Sequence, residues 1–116
     1  MTSYTVLIVD DSKPVRMITK SALLKYDESI SVVEAEDGQI GVDKAREIKP
    51  DLIITDIMMP NLDGIGLLQQ IANEFHIIAV TGHPKSIEKA RVAGAKECFT
   101  KPLTESQISD YINSIR

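Results

Sequence analysis

The chain has 116 residues, 43% of them hydrophobic, which suits one domain with an apolar core and is too apolar for a disordered segment. A net charge of -4, with lysines and arginines scattered along the chain, argues against a nucleic-acid surface. A single cysteine, Cys98, excludes an internal disulfide framework, and there is neither a signal-peptide pattern nor an apolar run that could span a membrane. We therefore predict one cytoplasmic, monomeric domain over residues 1–116 that binds neither nucleic acid nor a membrane.

The first apolar run ends at two acidic residues. Residues 6–9 are typical of a buried strand, and Asp10 and Asp11 follow it directly. Ser12 can then cap a helix that tolerates Pro14 in its first turn. The predicted core-facing side of this helix consists of Val15, Ile18, Thr19, Ala22 and Leu23, and the predicted outward side of Arg16, Lys20 and Lys25.

The second strand and helix lead to the most apolar strand of the chain. Residues 30–34 predict a strand, and a helix opens at Asp37 and stops before Pro50. Residues 52–54 then indicate a strand buried on both faces, with Asp56 at its carboxyl end. Parallel α/β sheets bind their ligands at the carboxyl ends of the strands, so Asp56 is a candidate for chemistry. The apolar side of the second helix is predicted to be Val42, Ala45 and Ile48.

A turn and a third helix separate this strand from the fourth. The segment from Pro60 to Gly64 predicts the turn, and Asp63 can cap the helix that follows it. Residues 76–80 predict the fourth strand, which ends at Thr81. The predicted apolar stripe of the third helix is Leu67, Leu68, Ile71 and Phe75.

The last βα unit again places a polar residue after a strand. Residues 84–93 predict a short helix closed by Gly94, and residues 97–100 predict the last strand, which ends at Lys101-Pro102. The predicted stripe of the final helix is Ile108, Tyr111, Ile112 and Ile115.

Five βα units with short connections predict an α/β fold. We expect a doubly wound, flavodoxin-like parallel sheet of five strands in the order 2-1-3-4-5, with five helices. Strands one and three flank the switch point of that order, so Asp10, Asp11 and Asp56 should converge there. Thr81 and Lys101 follow the next two strands at the same edge of the sheet.

Three close carboxylates need a cation, because like charges a few Å apart raise one another's pKa. An all-oxygen site suits Mg²⁺, which usually completes its coordination with waters and a phosphate oxygen. Lys101 and the Thr81 hydroxyl could bind further phosphate oxygens, as phosphoryl transfer requires. Asp56 is then the predicted nucleophile, and an aspartyl phosphate is the predicted product.

Four segments at the strand ends combine into a specific pattern. They are residues 9–12 (VDDS), 54–64 (ITDIMMPNLDG), 80–82 (VTG) and 99–102 (FTKP). In this order they resemble the signature of response-regulator receiver domains, in particular the chemotaxis-type single-domain regulators of two-component systems. The resemblance covers essentially the whole chain and implies a phosphoprotein. Its partners would be a sensor histidine kinase or a histidine phosphotransfer protein, and a downstream target protein.

The resemblance also implies a role for each site residue and a cis Lys101-Pro102 bond. The implied roles are Asp56 as phosphoacceptor, Asp11 and Asp56 as direct Mg²⁺ ligands, Asp10 as the acid that holds a metal-bound water, the Met58 carbonyl as a further ligand, Thr81 as the switch hydroxyl and Lys101 as the phosphate-binding lysine.

Two positions depart from the family pattern. Met58, two residues after the phosphoacceptor, cannot orient a hydrolytic water, which implies slow hydrolysis, although His83 flanks the same opening. Cys98 occupies the position, three residues before Lys101, where receivers commonly carry Tyr or Phe. The neighbouring Phe99 should point to the opposite face of the sheet, into the core, and cannot replace that ring.

Other functions on the same architecture fit these residues less well. A flavodoxin-like electron carrier would need a phosphate cradle after the first strand, where the acids would repel phosphate. A phosphatase with an aspartyl-phosphate intermediate would need an acid at Met58, so we expect catalysis only of the chain's own phosphorylation and dephosphorylation. A phosphorelay intermediate and a phosphorylation-independent pseudo-receiver used for docking are the remaining alternatives. We expect output through protein docking, because no DNA-binding or catalytic segment follows Arg116 in this sequence.

Overall fold

A parallel sheet of five strands lies at the centre of the computed structural model, which describes residues 4–116. The strand order is β2-β1-β3-β4-β5, so the predicted doubly wound sheet and its order are confirmed. The strands are β1 Thr5–Val9, β2 Ser31–Ala35, β3 Leu52–Asp56, β4 Ile77–Thr81 and β5 Glu97–Thr100.

Five helices cover the two faces of this sheet and enclose two apolar clusters. One cluster lies between the sheet and helices two, three and four, and the other between the sheet and helices one and five. Every residue of β3 and β4 is buried, as expected for central strands covered on both faces. The helices are α1 Lys13–Tyr26, α2 Gly38–Ile48, α3 Gly64–Ile71, α4 Ile87–Ala93 and α5 Glu105–Ile115.

The register of the sheet sets which strand ends lie side by side. Val9 of β1 pairs with Thr55 of β3, so the residue after Val9 lies beside Asp56. On the other side of β3, Asp56 pairs with Val80, the residue before Thr81. The carboxyl ends of β1, β3 and β4 therefore meet at one edge.

Polar caps start the first three helices where the sequence predicts them. Ser12, Asp37 and Asp63 each accept a hydrogen bond from a backbone N–H in the first turn of the following helix. Gly94 closes α4 in the left-handed conformation, at φ 115°.

The predicted orientation of α1 is wrong at two positions. Ile18 was expected in the core but is 63% exposed, and Arg16 was expected outside but its side chain is only 13% exposed. The buried face is centred on Thr19, and successive helical residues are turned by about 100°. Ile18 therefore lies well to one side of the core direction, whereas Arg16, three residues before Thr19, lies within about 60° of it.

Several boundaries also differ from the prediction, including that of β2, which is Ser31–Ala35 and not residues 30–34. The third helix ends at Ile71 instead of continuing to Phe75, because the chain turns there to enter β4, although Phe75 still packs against the core. The fourth strand is Ile77–Thr81, one residue later than predicted. The segment 84–93 is divided, since Pro84–Ser86 forms a 3-10 turn in which the Ser86 N–H donates to the His83 carbonyl at 2.9 Å.

Candidate functional site

Three carboxylates converge at the switch point of the sheet. Asp10, Asp11 and Asp56 each offer a carboxylate oxygen, and these oxygens lie within 4.8 Å of one another. Asp10 and Asp56 are buried, at 4% and 7% exposure, whereas Asp11 is exposed at the rim. The cluster is therefore open to solvent on the side of Asp11 and closed on the side of the sheet.

The ammonium group of Lys101 bridges the two buried carboxylates. Its Nζ donates to Asp10 Oδ2 at 3.1 Å and to Asp56 Oδ2 at 3.0 Å. The lysine backbone is held in turn, because its N–H donates to the Thr81 carbonyl at 2.8 Å and its bond to Pro102 is cis. One positive charge thus faces three negative charges.

Backbone donors fix the second oxygen of each buried carboxylate. The Ile57 N–H donates to Asp56 Oδ1 at 2.8 Å, and the Ser12 N–H donates to Asp10 Oδ1 at 2.8 Å. Both side chains are consequently oriented by one main-chain bond and one bond to Lys101. Asp56 is the last residue of β3, and every residue of that strand is buried, so its backbone is firmly held.

Burial is the main influence on the ionisation of Asp10. It raises the pKa of that carboxyl, and the Ser12 N–H and Lys101 oppose the rise only in part, while the charge of Asp56 adds to it. Burial alone would lower the pKa of Lys101, but its hydrogen bonds to Asp56 and Asp10 outweigh this and raise that pKa. The lysine is therefore a permanent cation, and the carboxylates favour the binding of a second one.

The chemistry of the donors fits Mg²⁺. The three groups are oxygen ligands, two of them preoriented by the main chain, and hard divalent cations prefer such ligands. A nearby cavity of about 110 Å³ is lined mainly by aliphatic side chains and adjoins Asp10, Asp56 and Lys101. This apolar wall keeps the inner side of the cluster poorly solvated, which strengthens electrostatic interactions there.

The side chains of two predicted site residues, Thr81 and Met58, make no hydrogen bond to the carboxylates or to the Lys101 ammonium group. The Thr81 side chain is fully buried, and its Oγ1 accepts from the His83 N–H at 2.9 Å and donates to the His83 carbonyl at 3.4 Å. Its hydroxyl is thus bonded to its own loop and not to the carboxylates. Met58 lies in the loop after β3 with 56% of its surface exposed, and the ligand role of its carbonyl stays a prediction.

Cys98, which replaces the aromatic residue common in the family, lies away from the acidic cluster. Cys98 is half-buried on the α4 side of the sheet, with its Sγ 3.9 Å from the Ile87 carbonyl. Phe99 lies on the opposite face, where its ring contacts Tyr111 edge-on at 5.9 Å between centroids. The predicted alternation is confirmed, although Phe99 is half-buried at the margin of its cluster and not fully enclosed.

Arg16 was predicted on the outward side of α1, and its contact with the site was therefore missed. The Arg16 Nη1 donates to the backbone carbonyl of Asp10 at 2.7 Å. A helical projection centred on Thr19 would have placed Arg16 near the buried side, but the sequence alone does not fix that centre.

In the described part of the chain, residues 4–116, no helix combines the length and apolarity needed to cross a membrane.

Comparisons with known proteins agree with this geometry. The family model for the response regulator receiver domain matches residues 6–113. The chemotaxis protein CheY of Bacillus subtilis is 36% identical over 116 residues, covering 96% of each chain. A protein-glutamate methylesterase/protein-glutamine glutaminase of Geobacter sulfurreducens is 55% identical over 108 residues, which are 87% of this chain but 30% of that protein. The solved structure of Vibrio cholerae chemotaxis protein CheY4 has the same fold, with a TM-score of 0.87 at 23% identity over 99% of this chain and 100% of that one.

The family match contains the acidic cluster and Lys101, since all four residues lie within 6–113. Relatives of CheY type match over 95–96% of this chain and of their own length, as expected for a receiver domain and not for a classical enzyme. The chain belongs to the response regulator receiver domains of two-component signalling.

Proposed function

We propose that this chain is a single-domain, cytoplasmic response regulator that accepts a phosphoryl group on Asp56 and signals by docking onto a target protein. The observation that carries the proposal is the bridged cluster, in which Lys101 Nζ lies 3.0 Å from Asp56 Oδ2 and 3.1 Å from Asp10 Oδ2, with Asp11 beside them. A receiver domain implies a histidine kinase as donor, and a histidine phosphotransfer protein carries the same phosphohistidine.

The transfer step uses Asp56 as nucleophile. A carboxylate oxygen of Asp56 forms a bond to the phosphorus of phosphohistidine while the phosphorus–nitrogen bond breaks. The leaving imidazole keeps the electron pair of that bond and takes up a proton. Lys101 is already within hydrogen-bond distance of Asp56, so its ammonium can follow the developing negative charge on the phosphoryl oxygens.

The acidic cluster would hold the Mg²⁺ that this step needs for charge balance. We propose that Asp11 and Asp56 bind it directly, with the Met58 carbonyl as a further ligand and Asp10 on a metal-bound water. When bound, Mg²⁺ neutralises phosphoryl oxygens and orients them for in-line transfer. The open rim at Asp11 gives the ion and the donor access from solvent.

The surface beside the cluster supports a protein as phosphodonor. Ile18, 63% exposed, lines the cavity that adjoins Asp56, and Met17 beside it is 59% exposed. Two large apolar side chains next to a charged site are better suited to a protein surface than to a free small donor. We accordingly infer that the histidine-containing partner docks across the start of α1, and that the phosphorylated monomer then binds its target.

Replacement of the nucleophile tests the proposal directly. Asp56→Asn should abolish phosphate incorporation from a cognate kinase and from small phosphodonors, because an amide is not a competent nucleophile. Lys101→Ala should retain the fold but slow incorporation by roughly 100-fold, as expected for loss of one preorganised donor. Asp63→Asn is the matched control, since Asn caps a helix as well as Asp does. Intact-mass spectrometry that shows unchanged phosphate incorporation in Asp56→Asn would contradict the assignment.

The raised pKa of Asp10 generates a stability test. The fold disfavours the ionised form of this carboxyl, so Asp10→Asn should raise the melting temperature of the metal-free protein by a few degrees at pH 7. The gain should shrink as the pH falls through the raised pKa, because the wild-type carboxyl then takes up its proton. Asp37→Asn is the opposite control, since bonds from the Ile40 N–H and Asn61 lower the pKa of Asp37 and its ionised form is favoured. Thermal melts in which Asp10→Asn is less stable than the wild type at pH 7 would contradict the prediction, because the fold would then favour the ionised form of Asp10.

The lifetime of the phosphoprotein depends on the side chain at Met58. This side chain is exposed near the proposed acceptor and has no group that could orient a water, so we expect slow hydrolysis. Met58→Asn supplies an amide at the same position and should accelerate the decay. His83→Ala measures whether the exposed imidazole contributes. Decay followed by loss of radiolabel would refute the idea if it is fast in the wild type and unchanged in Met58→Asn.

The small side chain of Cys98 should redirect the signal. It leaves no aromatic ring to move with Thr81, so the backbone from Thr81 to Arg91 must carry the change to the partner surface. We expect Cys98→Tyr to preserve phosphorylation but to alter the affinity for the target. Backbone amide shifts on addition of a phosphoryl mimic should extend from Thr81 through α4. Shifts confined to the acidic cluster, with none beyond Gly82, would be inconsistent with this route.

A further inference from the structure

The largely covered side chain of Arg16 joins the loop that carries Asp10 and Asp11 to the neighbouring strand β2. Arg16 Nη1 donates to the Asp10 carbonyl at 2.7 Å, and Arg16 Nε donates to Glu34 Oε1 at 3.1 Å. The side chain of Arg16 is 13% exposed and that of Glu34 is 34% exposed. This is an uncommon place for an arginine, because helical arginines are mostly solvent-exposed.

The pair restrains the backbone of Asp10 and not its carboxylate. The Asp10 N–H donates to the Ala35 carbonyl at 3.1 Å, so both main-chain groups of Asp10 are held by the end of β2, one directly and one through Arg16 and Glu34. Glu34 is held in addition by Lys44, whose Nζ donates to the Glu34 carbonyl at 2.6 Å. The peptide that joins Asp10 to Asp11 is thus fixed at its carbonyl.

We propose that Arg16, held by Glu34, is a positioning residue for the cation site. The inference rests on the proposed function, because it concerns Mg²⁺ binding by Asp11 and Asp56. Rotation of the Asp10-Asp11 peptide would carry the Asp11 carboxylate away from Asp56, and the bond from Arg16 opposes that rotation. The planar fork of a guanidinium reaches both acceptors at a fixed angle, which a lysine ammonium does not reproduce.

A purely structural role for the pair makes a different prediction. If Arg16 only joined α1 to β2, its removal would lower stability and leave the metal affinity of the folded protein unchanged. A positioning role lowers the affinity for Mg²⁺ in protein that remains folded. Partners behind the ligands of a metal typically change affinity by about 10- to 100-fold, and Arg16 acts through one peptide, so a loss near tenfold is expected.

The experiment is a titration of the metal-free full chain with MgCl₂. Binding is measured by calorimetry and by the changes in the backbone amide shifts of Asp10 and Asp11. Arg16→Met keeps the apolar stem of the side chain and removes both donors, and it should bind Mg²⁺ about tenfold more weakly than the wild type. Arg16→Lys should give an intermediate affinity, and Glu34→Ala a smaller loss than Arg16→Met. The control is Arg46→Met, which breaks the exposed pair of Arg46 and Glu74 at 3.4 Å and should leave the affinity unchanged.

The outcomes separate the inference from the proposed function. Wild-type affinity in folded Arg16→Met overturns the inference alone, even if the variant melts at a lower temperature. Should Arg16→Met fail to fold, Arg16→Lys decides in its place, and an affinity equal to that of the wild type overturns the inference. An absence of Mg²⁺ binding by the wild type contradicts the proposed metal site itself, and the inference fails with it.

Discussion

Repulsion among three carboxylates is the constraint on which the site depends. Two unit charges about 4 Å apart interact by roughly 4 kcal/mol at an effective dielectric constant near 20, which is comparable with the whole stability of a small domain. Lys101 offsets part of this repulsion through its bonds to Asp10 and Asp56. On the proposed function, a cation and a phosphoryl group at the same edge of the sheet would compensate the remaining imbalance.

The fold keeps these charges together because Asp56 is the last residue of β3 and Asp10 directly follows β1, both of them buried, with the exposed Asp11 next in the chain. β1 and β3 are fully buried where they reach the site, and main-chain donors orient the carboxylates of Asp10 and Asp56. A loop could relax to separate like charges, whereas strands packed between two apolar clusters cannot. The core of this small domain therefore holds an electrostatically unfavourable arrangement in place, and the proposed affinity for Mg²⁺ depends on that arrangement.

Much of this could be predicted from the sequence, because the informative residues mark strand ends. Apolar runs of strand length that end in Asp10, Asp56 and Lys101 determine both the sheet and the convergence of the acids. The sequence does not show which side of α1 faces the sheet, because apolar and polar residues alternate at the margins of its apolar stripe. Only contact with the sheet makes Thr19 the centre of the buried face. Ile18 and Arg16 were misplaced for that one reason, and Arg16 is the residue whose contact with the Asp10 loop was missed.

The hydrogen bonds far from the site indicate which half of the domain is free to respond. α5 is joined to α1 and to the segment after it by three pairs, Lys25 with Glu105, Tyr26 with Asn113, and Asp27 with Arg116. α4 follows a 3-10 turn and has one buried residue, Ala90, which is fewer than any other α-helix of the described chain has. On the proposed function, a phosphoryl group on Asp56 competes with the His83 backbone for the Thr81 hydroxyl, and the loop released by that exchange leads directly into α4. On that function, the helix with the fewest buried residues is the one that the exchange at Thr81 would reach first.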